Sequence, residues 1–138
     1  MAEERGPSLT VDAVIEFPEE KVVLIRRGIP PFEGMWALPG GFVEFGETVE
    51  HACVREVKEE CSIDVELEGI LGVYSDPNRD PRGHTVSVIF RAKYVDGELK
   101  GADDAREARL FSRDELKGIE LAFDHGDALK DAGWLQEN

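Results

Sequence analysis

Residues 47–61, ETVEHACVREVKEEC, restrict the fold of this chain more than any other stretch. They contain neither proline nor glycine, and Val49, Cys53 and Val57 recur at every fourth position. That spacing draws one apolar stripe down an α-helix, which must be buried against another element. Upstream, GIPPFEGMWALPGG (28–41) is broken by Pro30, Pro31, Gly34, Pro39, Gly40 and Gly41. The helix is therefore entered from a long, turn-rich connection that holds a short apolar piece at Trp36–Leu38.

Strand signals surround the helix. SLTVDAVIEF (8–17) and KVVLIRRG (21–28) are rich in β-branched residues and separated by Pro18-Glu19-Glu20, so they read as a strand pair. GFVEF (41–45) is a brief strand, SIDVELEGILGVYS (62–75) alternates at Ile63, Val65 and Leu67, and TVSVIFRAKYV (85–95) is the clearest strand of all. DPNRDPRGH (76–84) is a polar loop and EARLF (107–111) another short strand. Ser112 caps a short helix begun by SRDEL, and Ala122–Leu135 reads as a final amphipathic helix. Strands interrupted by one strong helix and closed by another define a mixed α/β (α+β) fold. At 138 residues, one domain spanning 1–138 is expected.

The charge balance is uneven, with 30 acidic against 16 basic residues and a formal charge of −14. Such an excess repels polyanions, so neither a nucleic acid nor an anionic membrane is an expected partner. It suits cations, or anions that arrive with cations, and it also serves solubility. MAEERGPSLT carries no apolar core of a signal peptide, and no apolar run reaches the ~18–20 residues of a membrane span. Cys53 and Cys61 lie two helical turns apart, about 12 Å, beyond the ~7 Å reach of a disulfide. They read as small buried residues of a cytoplasmic protein.

On a helical wheel Glu56, Glu59 and Glu60 fall within an arc of about 100°. Lys58 lies on the opposite side, whereas Arg55 reaches Glu59 one turn on. Like charges at this spacing cost only about 0.2–0.5 kcal/mol on an exposed helix, so a solvated face accommodates them. A second reading is a site for a hard dication. Mg²⁺ takes carboxylate oxygens at about 2.0–2.1 Å in octahedral geometry, and carboxylates one turn apart on a rigid helix supply them. Gly40-Gly41, just upstream, lets the backbone approach the same place. His51 and His125 read as surface residues.

Gly41, Glu47, Arg55, Glu56, Val57, Glu59, Glu60 and Ile63 together resemble the Nudix box. The pattern is glycine, five residues, glutamate, seven residues, Arg-Glu-aliphatic-any-Glu-Glu, then any-Gly-aliphatic. Ser62 stands where the pattern has glycine, at the residue after the helix end, and a left-handed serine there costs roughly 1 kcal/mol. The resemblance implies a mixed sheet sandwiched between helices (α/β/α), with the box as a loop-helix-loop metal site. It implies hydrolysis, with a divalent metal and water, of a nucleoside diphosphate linked to another moiety. Glu56, Glu59 and Glu60 would then hold Mg²⁺, or Mn²⁺ as the alternative, joined by the carbonyl of Gly41 or Gly40. Arg55 and Glu47 would orient them. By the same resemblance the base would be a box glutamate or an acid of GADDARE (101–107), with Asp104 first and Glu107 next as base or extra metal ligand; surface solubility accounts for that acidic run equally well. Pairing is common in the family, so a homodimer is expected.

GVYSDPNRDPRGHTVSVIF (72–90) resembles the ADP-ribose pyrophosphatase branch, which converts ADP-ribose to AMP and ribose 5-phosphate. Arg79, Arg82 and His84 from this segment, with Arg26 and Arg27 from the second strand, are the expected substrate contacts. His84 equally fits a cap on the following strand, and one of Arg26 and Arg27 must face away from the other. Tyr74, Phe32 and Trp36 suit either adenine stacking or the core. Two further readings stand beside this one: hydrolysis of another small nucleotide, or a domain that only senses one.

Overall fold

A computed structural model describes residues 6–136. The first half of MAEERGPSLT, which bears on the signal-peptide expectation, lies outside the described residues. The elements in chain order are β1 (Ser8–Phe17), β2 (Lys21–Arg27), β3 (Trp36–Ala37), β4 (Gly40–Phe42), α1 (Val49–Cys61), β5 (Asp64–Tyr74), β6 (Thr85–Asp96), β7 (Ala105–Phe111), α2 (Arg113–Leu116) and α3 (His125–Asp131).

Alternation along β1 and β2 sorts side chains into two cores, because successive strand residues face opposite ways. Val11, Ala13 and Ile15 meet Ala52, Cys53, Val57 and Cys61 of α1 on one face. Val14, Val22 and Leu24 meet Leu116, Ala128, Leu129 and Trp134 on the other. Helices thus cover both faces of a mixed sheet, which is the expected α/β/α sandwich. The sheet runs β3-β2-β1-β6-β5, with β4 paired to β1 and β7 to β2. The β1–β6 pairing is parallel, and the other pairings are antiparallel.

The site is created by a split in this sheet. β1 and β2 pair only beside their turn, at Glu16↔Val22 and Phe17↔Lys21. Farther on they diverge: β1 takes β4 as its partner, with Asp12 opposite Gly40 and Val11 opposite Gly41. β2 instead pairs with β3 and β7. The glycine pair is therefore pinned at the mouth of the split, directly upstream of α1.

Helix ends follow local chemistry. Thr48 caps α1 by accepting the His51 N–H at 3.0 Å. Ser62 ends it in the left-handed conformation (φ 65°, ψ 26°), with its N–H donated to the Lys58 carbonyl. Serine thus occupies the backbone conformation for which the box pattern uses glycine. Ser112 and Glu115 form a reciprocal capping box on α2. The tail departs from expectation, since only His125–Asp131 of Ala122–Leu135 is helical. Ala122 donates its N–H to the Trp36 carbonyl and Phe123 has φ 55°, so helix cannot start earlier.

Candidate functional site

At the split, a cleft of about 240 Å³ opens between the glycine pair, the α1 carboxylates and the loops before β6, β7 and α3. Its acidic wall is built from α1. Glu60, only 8% exposed, accepts the Gly40 N–H at 2.9 Å through Oε1. The Glu60 carbonyl accepts the Ala102 N–H, which draws the loop carrying Asp104 against the helix end. A Cβ at Gly41 would lie 2.5 Å from the Glu56 carboxyl, and one at Gly40 would lie 2.0 Å from the Val11 carbonyl oxygen. Only glycine allows this backbone to pass so close.

Arg55 organises the acids around it. It donates through Nε and Nη2 to the two oxygens of Glu47, at 2.6 and 2.9 Å. Nη1 reaches both Glu56 and Glu59 at 3.1 Å, and Nη2 also donates to the Phe42 carbonyl. Glu47 in turn accepts the Glu44 N–H and faces His51 Nδ1. The Arg55 hydrogen bonds hold the Glu47 carboxyl down at about 2.

Burial acts in the opposite direction on the other two. It pushes Glu60 up to about 8, with Glu56, Asp12 and Asp104 adding repulsion and the Gly40 N–H opposing. Burial also raises Glu56, against the pull of Arg55. Among the described residues, no three acidic, histidine or cysteine side chains already converge as a metal cage. Arg55 and the Gly40 N–H engage the oxygens instead. The donor set nevertheless fits a dication: hard oxygen ligands, a buried carboxylate repelled by its neighbours, and a backbone approach open only to glycine.

The opposite wall is basic and aromatic. Arg27 and Arg82 both approach the Phe123 ring, at 5.1 and 5.7 Å, and Arg82 also lies 5.1 Å from the Phe42 ring. Asp80 fixes Arg82 by accepting from its Nε, its Nη2 and its backbone N–H. The floor is polar. Asp12 Oδ2 accepts from Ser87 Oγ at 2.5 Å and lies 3.6 Å from His125 Nε2, while His125 Nδ1 accepts the Leu38 N–H.

Among the expected site residues, Gly40, Gly41, Glu56, Glu60, Arg27, Arg79, Arg82 and Asp104 all line the cleft. Glu47, Arg55 and Glu59 adjoin it through the Arg55 fork. Three sit elsewhere. Arg26, next to a register shift in β2, turns to the Gly34 carbonyl and to Glu107 at 3.8 Å. Glu107 is thereby also turned away. His84 Nε2 lies 3.0 Å from the Ser75 carbonyl at the neck of the β5–β6 loop.

The surface reading of His51 holds, since 71% of its side chain is exposed. That of His125 is corrected: it is 3% exposed, because α3 starts at this residue and presses it onto Leu38. Phe32, Trp36 and Tyr74 pack elsewhere, and the phenylalanine rings that line the cleft are those of Phe42 and Phe123. Asp12, Asp80, Phe123 and His125 escaped the sequence reading. An acid inside the apolar run VDAV was the one available signal for Asp12.

Residues 6–132 match the NUDIX domain family, and the chain belongs to it. An ADP-ribose pyrophosphatase of Methanocaldococcus jannaschii is 51% identical over 125 residues, covering 91% of this chain and 72% of that protein. The chain spans 66% and 53% of the lengths of two other relatives. The NUDIX domain of NrtR from Shewanella oneidensis, solved in complex with ADP ribose, superposes with a TM-score of 0.83 at 27% identity, covering 94% of this chain and 88% of that one. A bifunctional NMN adenylyltransferase/ADP ribose pyrophosphatase from Francisella tularensis, complexed with AMP and a manganese ion, gives 0.85 at 27% identity, covering 94% of this chain and 42% of that one.

Proposed function

We propose that this chain is a single hydrolase domain that, with a divalent cation, splits ADP-ribose into AMP and ribose 5-phosphate. The observation that carries this reading is the two-walled cleft. Carboxylates on α1 face a pair of arginines set against phenylalanine rings, across a gap that a cation-bound diphosphate would bridge. The resemblance of the loop before β6 to the ADP-ribose branch and the M. jannaschii relative support the choice of substrate.

Glu56, Glu59 and Glu60 are the proposed ligands, with the Gly41 or Gly40 carbonyl. Mg²⁺ is the proposed ion and Mn²⁺ its alternative. Such a cation lowers the pKa of a bound water and withdraws charge from phosphate oxygens. Arg55, locked to Glu47, holds Glu56 and Glu59 apart from each other's repulsion and in register with the cleft. Arg27 and Arg82 offer charge to the diphosphate. Asp104, beside Glu60 and facing the cleft, is the proposed base that takes the proton of the attacking water. Glu107 is the weaker candidate because it faces Arg26.

We place the protein in the cytoplasm, consistent with two free, buried cysteines. Among the described residues no helix is long and apolar enough to cross a membrane. A homodimer is part of the proposal, and exposed Ile70 and Val73 on the edge strand β5 support it. Sedimentation at micromolar concentration tests that state.

The decisive experiment is a panel of nucleotides incubated with the protein and Mg²⁺, with products separated by chromatography. AMP and ribose 5-phosphate from ADP-ribose, with slower turnover of sugar nucleotides, dinucleoside polyphosphates and oxidised dNTPs, is the expected result. Preference for a triphosphate overturns the substrate assignment. Binding of ADP-ribose without any turnover overturns the enzyme in favour of a sensor.

A further inference from the structure

We propose that Arg79 is a positioning residue, clamped to Asp124 so that Arg82 and Phe123 are held together on the substrate side of the cleft. The inference rests on reading that cleft as the substrate site, and it withdraws Arg79 from the expected substrate contacts. Arg79 sits in the loop between β5 and β6, and its side chain is only 4% exposed. Nε and Nη2 donate to the two Asp124 oxygens at 2.9 and 2.7 Å, and Nη1 donates to Thr85 Oγ1 at 2.9 Å. A bidentate, buried guanidinium–carboxylate pair fixes both partners in angle as well as distance. A phosphate would have to displace Asp124 to reach the same edge of the guanidinium.

What the clamp joins gives it a role. Asp76 accepts the Asn78 N–H through its side chain and the Arg79 N–H through its carbonyl, forming one tight turn. Asp80 does the same for the Arg82 and Gly83 N–H groups in a second turn. Arg79 closes the first turn and Asp80 opens the second, so anchoring Arg79 sets where the Asp80–Arg82 pair lies. At the other end, Asp124 follows Phe123, whose left-handed backbone (φ 55°) aims its ring into the cleft. Asp124 also occupies the N-cap of α3 yet makes no side-chain cap bond. Its oxygens are committed to Arg79, so a local stabilising bond is forgone for a tertiary one.

The test is a mutant cycle of Arg79→Ala, Asp124→Ala and the double variant, with Arg79→Lys and Arg82→Ala beside it. kcat and KM for ADP-ribose are measured at saturating Mg²⁺, and amide hydrogen exchange is followed across 76–84. Each single variant is expected to raise KM about tenfold or more, with kcat changed severalfold at most. The double variant should be no worse than the worse single one. Arg79→Lys keeps the charge but loses the fork and should behave like Arg79→Ala. Arg82→Ala leaves the clamp intact and should raise KM with normal loop exchange.

A KM raised by Arg79→Ala but not by Asp124→Ala overturns the clamp and makes Arg79 a direct ligand. Unchanged KM in both single variants overturns it as well. If wild type does not hydrolyse ADP-ribose, the proposed function fails by itself. Loop exchange still reads the clamp then, and protection unchanged by Arg79→Ala and Asp124→Ala sinks it.

Discussion

Arg55 and Glu47 meet in a two-pronged ion pair, with Nε and Nη2 at 2.6 and 2.9 Å from the two carboxylate oxygens. The pair leaves Nη1 to hold Glu56 and Glu59. Glu47 therefore acts on the acidic wall without touching the cleft. Arg55→Lys, which cannot reproduce the fork, is expected to lower activity about 10–100-fold, the usual effect of removing a partner that orients metal ligands. Glu47→Gln should lower it less, since it keeps an acceptor for Nε. A Mg²⁺ titration of the rate checks both, and the half-saturating concentration should rise more for Arg55→Lys.

The two neighbouring glycines should fail in different ways. At Gly41 an added Cβ meets the end of the Glu56 side chain at 2.5 Å, and that side chain can swing aside. Gly41→Ala is expected to fold with near-native melting temperature while losing at least about tenfold in activity, because Glu56 is displaced. At Gly40 the Cβ meets the Val11 carbonyl oxygen at 2.0 Å and the Asp12 Cα at 2.8 Å, all within the β1–β4 ladder. Backbone cannot give way so cheaply, and Gly40→Ala should cost several kcal/mol of stability, on the order of 3. Thermal melts beside activity assays separate the two outcomes.

Ser62 carries a prediction about stability alone. It holds φ 65° at the end of α1 without being glycine. Ser62→Gly is expected to stabilise the protein by about 0.5–1 kcal/mol, relief of left-handed strain outweighing the added chain entropy of the unfolded state. For a domain of this size the melting temperature should rise by roughly 2–5 °C, with kcat unchanged. A fall in melting temperature would mean that the serine contributes more at this cap than its strain costs.

What could be read in the sequence follows from the range of the interactions involved. α1 and the long strands were legible because their apolar periods are local, and the acids of the box because their spacing on one helix is fixed. Arg27 against Arg26 was half legible: alternation requires them to part, but only the split between β1 and β2 decides which one enters the cleft. The roles of Asp12 and His125 depend on partners far away in the chain, Ser87 and Leu38, whereas Asp80 bonds Arg82 only two residues on and its role depends on where the fold places that loop. The tail misled because its apolar residues fit a helical period, while the Ala122–Trp36 hydrogen bond and positive φ at Phe123 and Gly133 confine the helix.

The buried carboxyl of Glu60 makes stability depend on pH with a sign opposite to that of a salt-bridged acid. Its ordinary value of 4.5 is raised to about 8, chiefly by burial. Between these values the folded protein binds the proton more tightly than the unfolded chain, so stability falls as pH rises through this window. The raised Glu56 adds in the same direction. Metal-free protein is thus expected to melt at progressively lower temperature from about pH 5 to 8. Glu60→Gln should flatten that slope while retaining an acceptor for the Gly40 N–H, and it should abolish turnover. Mg²⁺ binds the ionised form, so added ion should raise the melting temperature more at pH 8 than at pH 5. Melting curves with chelator and with Mg²⁺, for wild type and Glu60→Gln, check all of this. A wild-type curve that rises with pH in chelator would contradict the desolvation of Glu60, and equal Mg²⁺ responses in the two proteins would remove Glu60 from the ligand set.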